Sequence, residues 1–393
     1  MGEEKSARYT IILGVCLLLC LLGCSALCRY RKWWAYVLGI VLLALSTGIY
    51  QAFIPTALCV MLLHFLRKLT LAENWSWKDL AKDVLWYFSA CLAFLALYSL
   101  MSRLCLAVTH LTLTGYNGIS DPMAGGIRSY VQRIKLAYYL FLIPTGASRT
   151  AYMFPYRLHT LYYVALALLC LAALLYLRKL WKKGRVRALS GLLALGVFPL
   201  AVNFAHVMAD PEIVHSLMVY SQVLFWLLPY CLIRWVQLVE NRAALLRNLN
   251  RLVCALLAVV CLLYVRLDNT AYLKLEIYQT RTIQYFTTLI TQIKSLDGYS
   301  GEMKVTFVNK DFNRDPTFQE IQELSGFVIE PIRNWESELT AHSFQEFLNI
   351  WCGFNPEIVD ETAYTDLPEV QKMPHYPEAG SIQIVGDTVV VKF

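Results

Sequence analysis

The chain alternates between long apolar stretches and short polar connections. A helix that crosses a bilayer needs about 20 predominantly apolar residues, and stretches of this kind recur as far as residue 267. The pattern predicts eight transmembrane helices, near residues 9–28, 34–48, 52–67, 83–107, 158–177, 188–207, 216–236 and 251–267. The expected fold class is therefore an all-α polytopic membrane domain covering residues 1–267.

Lysine and arginine gather at every second connection between these stretches, beginning with Arg31 and Lys68. Cytoplasmic loops of membrane proteins collect such residues. The pattern therefore predicts that loop 108–157 and the tail 267–393 lie on the outer side of the membrane. Residue 1 also falls outside on this argument, so we expect an odd number of further helices upstream of it.

One apolar stretch, residues 34–66, is too long for a single transmembrane helix. It would measure roughly 50 Å as one helix, against a hydrocarbon core of about 30 Å. Gly48 and Pro55 lie near its middle and can interrupt a helix. We therefore predict two short helices joined by a tight outer turn at Tyr50 and Gln51.

Composition supports a membrane protein. Hydrophobic residues make up 58% of the chain and charged residues 16%, against about 45–50% and about 25% in soluble proteins. The net charge of +7 belongs mostly to the inner connections, where basic groups interact with anionic lipid headgroups. The charge therefore indicates a lipid bilayer as partner and no nucleic acid.

Cysteines are numerous, but all of the twelve except Cys352 fall in the apolar spans. The tail therefore has no internal disulfide. Four of them are spaced four residues apart along the first helix, at Cys16, Cys20, Cys24 and Cys28. Such a stripe either packs against a neighbouring helix or serves a metal or redox site.

The two outer segments have different patterns. Within loop 108–157, residues 127–143 form an amphipathic, tyrosine-rich pattern that suits a helix at the membrane interface. Its predicted apolar face contains Ile127, Val131, Ile134 and Tyr138. The tail 268–393 contains a predicted helix, a strand at 304–308 and a closing hairpin with a Gly-Asp turn. About 125 residues suffice for one domain, so we predict a small α/β extracytoplasmic domain.

Candidate chemistry lies at the predicted outer ends of helices. Arg103 either holds the phosphate of a lipid-linked substrate or extends towards lipid headgroups. His206 lies near the end of the sixth span, and Asp210 and Glu212 follow it in a short loop. These groups can supply a base or ligands for a divalent cation, or they belong to a solvated loop that caps the next helix.

Further candidates lie in the other outer segments. Asp121 has Arg128 nearby and follows Tyr116 in a loop rich in glycine and tyrosine. Aromatic rings in such loops pack on sugars or prenyl chains, or they form the aromatic belt of a membrane protein. Tyr50 and Gln51 at the predicted turn either line a cavity beside a broken helix or are simple turn residues.

Nucleotide-binding loops, dinucleotide fingerprints, zinc spacings and nucleophile elbows are absent from the sequence. Segment 46–51, which reads STGIYQ, resembles a signature of the bacterial O-antigen glucosyltransferases, the glucosyl transferase II family. The strand at 305–308, the segment MPHYPEAGSI at 373–382 and the final strand at 389–392 are similar to that family's closing pattern. The resemblance runs from about residue 40 to the end of the chain.

The resemblance implies a multispanning enzyme of the GT-C class in the bacterial cytoplasmic membrane. Such enzymes move a hexose, here expected to be glucose, from a polyprenyl-phosphate donor to a cell-surface glycan at the outer face. The family's catalytic acid lies in a first outer loop that follows a first helix, and the sequence lacks both. The chain is therefore an enzyme that uses another acid, or a truncated or non-catalytic homologue that binds lipid-linked sugar or a partner enzyme. A lipid-sugar flippase ranks third, because its spans would carry more ionisable residues.

Overall fold

The structure is a computed structural model that describes residues 2–73, 75–110, 126–143, 156–209, 214, 218–240, 243–309, 319 and 338–393. It describes the backbone alone for 2–10, 126–128, 156–157, 243 and 338–344. The chain divides into two compact units, Met1–Leu263 and Tyr264–Phe393. The first unit is helical, and the second contains a small sheet.

Helices build the first unit, and most of them are long and apolar. They are α1 (Gly2–Arg29), α2 (Trp33–Ile49), α3 (Ile54–Leu71), α4 (Trp77–Thr109), α5 (Gly126–Leu142), α6 (Tyr156–Lys183), α7 (Arg185–Val202), the single-turn α8 (Ala205–Met208), α9 (Gln222–Val239) and the first part of α10 (Ala243–Lys294). In the described parts of the chain, seven helical segments are long and apolar enough to cross a membrane, and α2 is apolar but shorter. The protein is therefore a polytopic membrane protein.

The apolar stretch 34–66 forms two helices, α2 and α3. Tyr50 ends α2 in an extended conformation, and a 3₁₀ turn at Gln51–Phe53 leads directly into α3. Pro55 lies in the first turn of α3, where its missing N–H has no helical partner to lose. The connection is therefore a short helical turn between two helices.

Helices α1 and α2 pack closely through small residues. A Cβ atom added to Gly39 would lie 2.5 Å from the Leu27 side chain and 3.0 Å from the Gly23 carbonyl oxygen. Small residues of this kind allow helix backbones to approach within a membrane. The buried Cys16 thiol donates to the Ser46 carbonyl oxygen at 3.0 Å. The cysteine stripe thus faces neighbouring helices, and no metal-binding group of three or more His, Cys, Asp or Glu occurs among the described residues.

Helix α5 packs one face against the bundle, where Ala137, Leu140 and Phe141 are buried. The Asn203 amide donates to the Ala137 carbonyl oxygen at 2.7 Å. Tyr162 of α6 donates to the Phe141 carbonyl oxygen at 2.7 Å. These bonds fix α5 against α6 and the end of α7.

Helix α10 is longer than the sequence pattern predicts. The sequence predicts a span ending near residue 267 and a separate tail helix from 270, but α10 continues without a break from Ala243 to Lys294. It contains neither glycine nor proline, so nothing in this segment interrupts the backbone hydrogen bonds. Thr270 even donates its hydroxyl back to the Arg266 carbonyl oxygen, as helical threonines do.

The second unit contains a three-stranded sheet in the order β1, β3, β2, formed by β1 (Lys304–Val308), β2 (Ile382–Val385) and β3 (Thr388–Lys392). The remaining described helices are α11 (Glu338–Cys352), α12 (Thr362–Thr365) and α13 (Pro368–Gln371). β2 and β3 form the predicted hairpin, with Gly386 at a φ of +67° in its turn, a conformation that favours glycine. β1 pairs parallel to β3, so the strand predicted at 304–308 joins the hairpin in one sheet.

Candidate functional site

A group of polar and aromatic residues lies around the connection between α2 and α3, the C-terminal end of α7 and the start of α9. We call it the junction cluster, and its members are Tyr50, Gln51, Asn203, His206, Tyr220 and Gln222. The Tyr220 ring stacks on Phe53 at a centroid distance of 5.5 Å, and Tyr50 contacts the same phenylalanine edge-on at 5.9 Å. Tyr50 and Tyr220 therefore approach the same phenylalanine from different segments of the chain.

Burial raises the pKa of both tyrosines of the cluster. The hydroxyls of Tyr50 and Tyr220 are affected because a buried phenolate would lose its hydration. Both side chains thus remain protonated at neutral pH and can donate hydrogen bonds.

Asn203 holds the cluster together by hydrogen bonds. Its side-chain oxygen accepts from the Gln222 amide, and its own amide donates to α5. Its backbone carbonyl oxygen accepts from the His206 N–H at 3.0 Å. The side chain is fully buried, and buried polar groups require such partners. Asn203 therefore links three helices at this end of the bundle.

His206 is buried and carries unused hydrogen-bonding capacity. Only 1% of the residue is exposed, and its Nδ1 atom has no hydrogen-bond partner. Burial lowers the pKa of the imidazole from 6.5 to about 4, so the ring is neutral at pH 7. The Oε1 atom of Gln222 is likewise buried without a partner. Unsatisfied buried polar atoms are costly, and they mark this cluster as a place where a ligand's polar groups can bind.

Gln51 lies at the edge of the junction cluster and bonds to a neighbouring helix. Its amide donates to the Tyr98 hydroxyl of α4. Arg103 lies on the same helix but is five residues further on, about 140° around the helix axis from Tyr98. Its side chain is exposed, and it has no hydrogen-bond or ion-pair partner among the described residues. The structure thus joins Gln51 to α4 but gives Arg103 no contact with the cluster.

An apolar groove lies between α3, α4 and α7 and ends beside the junction cluster. Its volume is about 630 Å³, within the range of small-molecule sites. Apart from Tyr87, Cys91 and Ser190, its lining is wholly apolar. One of the lining residues is Phe204, two residues before His206. Phe204 also packs against the core that contacts Tyr50 and Tyr220.

A second polar cluster lies at the opposite end of α2 and α3. Asp83 is 1% exposed and receives hydrogen bonds from Arg31 and from Lys68, the latter at 2.7 and 2.8 Å. Helix α2 has 17 residues and is about 26 Å long, so it separates the two clusters by nearly the thickness of a bilayer core. From the sequence, Asp83 is only the first residue of a predicted span, and its ion pairs were not predicted. The sign of these ion pairs in the sequence is a single carboxylate at the start of a long apolar run.

Several predicted site residues lie outside the described parts of the chain. These are Asp121, Asp210, Glu212 and Tyr116. Arg128 lies in the first turn of α5, and only its backbone is described. The described candidates Tyr50, Gln51 and His206 belong to the junction cluster.

In comparison with known proteins, neither a curated protein nor a solved structure matches the chain. The model of the glucosyl transferase GtrII family matches residues 8–226, which include the junction cluster, the apolar groove and Asp83. Because this match covers more than half of the 393 residues, the chain belongs to the GtrII family of glucosyl transferases.

Proposed function

We propose that the protein is a membrane glucosyltransferase that takes glucose from a polyprenyl-phosphate donor and transfers it to a cell-surface glycan. The observation that carries this proposal is the apolar groove ending beside the buried polar junction cluster. A lipid-linked sugar needs both environments, because its chain is apolar and its sugar and phosphate are polar. A GtrII family member with this arrangement is suited to such a donor.

In this proposal the junction cluster binds the sugar and phosphate. The protonated Tyr50 hydroxyl can donate to a sugar oxygen, and the ring can pack on an apolar sugar face. His206 is neutral, and its Nδ1 atom can bond to a sugar hydroxyl or phosphate oxygen as its tautomer requires. Gln51, which already bonds to Tyr98, orients the connection on which Tyr50 lies.

The reaction needs a base for the acceptor hydroxyl. We propose an acid from the connections near this end of the bundle, with Asp121, Asp210 and Glu212 as candidates. The acceptor oxygen attacks the anomeric carbon, the carbon–oxygen bond to the phosphate breaks, and the lipid phosphate leaves. A divalent cation at these carboxylates is the cofactor consistent with this chemistry. Arg103 and Arg128 are the sequence-based candidates for neutralising the leaving phosphate.

The orientation follows from the distribution of charge. Basic residues surround Asp83 at one end of the bundle, and the basic-loop rule assigns that end to the cytoplasm. We therefore propose that the junction cluster and the tail face the outside of the bacterial cytoplasmic membrane. A lipid-linked donor and a surface glycan would meet on that side.

The test is a transfer assay with the chain reconstituted in lipid nanodiscs. Radiolabelled polyprenyl-phosphate glucose and purified lipopolysaccharide are supplied, and label in the glycan is counted. We expect transfer by the wild type, and a loss of about tenfold or more in kcat/KM for Gln51→Ala, whose bond to Tyr98 disappears. The exposed Gln292 provides the matched control, since Gln292→Ala should leave transfer unchanged. Donor binding without any transfer would contradict the enzymatic proposal.

A further inference from the structure

Helix α5 directs a cation into the bundle. The sequence assigns its apolar face to residues including Val131 and Ile134, but both are exposed, at 46% and 37%. The buried face instead contains Ala137, and Arg133 precedes Ala137 by four residues on that same face. The arginine is half-buried. An arginine on the packed face of a helix loses part of its hydration, and such a charge requires polar partners.

Among the described residues, the guanidinium of Arg133 has neutral partners only. Its Nη1 atom donates to the Val207 carbonyl oxygen of α8 at 3.5 Å, a long hydrogen bond. Its central carbon lies 5.8 Å from the centre of the Tyr130 ring. No carboxylate of the described residues forms an ion pair with it. The remaining N–H donors and the full positive charge are therefore available to an anion.

The contacts of α5 put this charge beside the junction cluster. Ala137 accepts from Asn203, and Arg133, one turn earlier, donates to Val207, so α5 runs antiparallel to the segment 203–207. His206, whose buried Nδ1 has no partner, directly precedes Val207. Phe204, at the end of the apolar groove, is less than one helical turn away along the chain.

We infer that Arg133 binds the phosphate of a long-chain lipid phosphate whose apolar chain occupies the groove between α3, α4 and α7. The inference rests on the proposed function and names a binding residue for its donor. The guanidinium forms charge-assisted hydrogen bonds with phosphate oxygens, and His206 directly precedes the residue whose carbonyl oxygen Arg133 already bonds. The occupant is a lipid because the groove has an apolar lining. Arg31 and Lys68 lie near the other end of the groove but pair with Asp83, whereas Arg133 forms no ion pair with a described carboxylate.

Position on the helix distinguishes Arg133 from its neighbour Lys135. Lys135 is two residues further along α5 and is exposed. It therefore contributes to the general positive potential near the membrane but not to a bond within the bundle. The pair offers a matched comparison of two cations on one helix.

The experiment measures lipid binding to the full chain in nanodiscs. Tritiated polyprenyl phosphate and the corresponding polyprenol, which lacks the phosphate, are titrated against the wild type and against Arg133→Gln, Arg133→Lys and Lys135→Gln. Loss of a charge-assisted bond should weaken binding of the phosphate by about ten- to one-hundred-fold for Arg133→Gln. Arg133→Lys should recover part of that loss, because it restores the charge. Lys135→Gln should bind like the wild type, and polyprenol binding should be the same in all four proteins.

Other outcomes would overturn the inference. Equal phosphate binding by Arg133→Gln and the wild type would exclude Arg133 as the phosphate ligand. Equal weakening of polyprenol and phosphate binding would show a structural defect of α5 in place of a lost charge contact. Loss on Arg103→Gln or Arg128→Gln with Arg133→Gln unaffected would assign the phosphate to those residues. Polyprenyl phosphate carries no sugar, so its binding is measured separately from glucose transfer. If Arg133→Gln leaves that binding unchanged, this inference fails, whereas glucose transfer by the wild type would still support the proposed function.

Discussion

Replacing Asp83 by asparagine should destabilise the first unit. The carboxylate is almost fully buried and accepts from two cations, Arg31 and Lys68. Asparagine keeps the shape but removes the negative charge, so two positive groups remain close together without a counter-ion. Breaking a buried ion pair typically costs about 3–5 kcal/mol. The two cations are each about one third exposed, and water would screen part of the loss, so we expect about 2–4 kcal/mol.

The assay is reversible unfolding of the purified chain in mixed micelles, with the free energy of unfolding taken from denaturant titration. Glu73→Gln is the matched control. Its side chain is exposed, and Arg187 of α7 bonds only to its backbone carbonyl oxygen, which the substitution keeps. The control should change stability by less than about 0.5 kcal/mol.

A double-mutant cycle separates the ion pair from general damage. Once Lys68 is replaced by glutamine, Asp83→Asn breaks only the remaining ion pair with Arg31. The destabilisation of the double variant should therefore be smaller than the sum of the two single effects by about 1 kcal/mol or more. Strict additivity would refute the reasoning, because it would mean that Asp83 and Lys68 do not stabilise each other. An Asp83→Asn protein as stable as the Glu73→Gln control would refute it equally.

Three further predictions concern the packing and burial of the bundle. Asn203→Ala removes two buried hydrogen bonds and leaves the Gln222 amide without this acceptor, so it should reduce the free energy of unfolding by about 2–4 kcal/mol, whereas Ala at the exposed Asn248 should change it little. Gly39→Ala would push a Cβ into a leucine of α1 and should cost about 1–3 kcal/mol in the same titration, while Gly14→Ala, with nothing within 4 Å, should not destabilise. An unfolded histidine has a pKa of about 6.5, and burial lowers the pKa of His206 to about 4. The wild type should therefore lose stability as the pH falls from about 6.5 to about 4, and His206→Phe should reduce that loss in unfolding titrations across this range.

The sequence pattern was informative about which segments are helical. Long apolar runs predict spans because backbone polar groups in lipid must bond within one helix. Gly48 and Pro55 also identify the interruption between α2 and α3. The sequence predicts a break between the last span and the tail helix because residues 268–270 are polar. Helix α10 is continuous there, since neither glycine nor proline interrupts its backbone hydrogen bonds.

The candidate site was less accessible to sequence reasoning. Helix α5 is amphipathic, but periodicity does not decide whether the apolar face meets protein or lipid. It pointed to Val131 and Ile134, which are exposed, in place of the buried Ala137. The role inferred for Arg133 depends on which face of α5 packs against the bundle. The partners of Asp83 come from Arg31 and Lys68, 52 and 15 residues away, and such pairs follow from tertiary packing. His206 and Tyr50 are candidates from the sequence because polar groups at helix ends are unusual in an apolar chain.

The most direct measurement of the central claim compares two glucose donors in one reconstituted preparation. The chain in sealed proteoliposomes is given a glycan acceptor together with either radiolabelled polyprenyl-phosphate glucose or a radiolabelled soluble nucleotide glucose, and the initial rate of glycan labelling is recorded. The apolar groove beside the junction cluster predicts labelling from the lipid donor and none above background from the nucleotide sugar. Labelling from the nucleotide sugar alone would contradict the account.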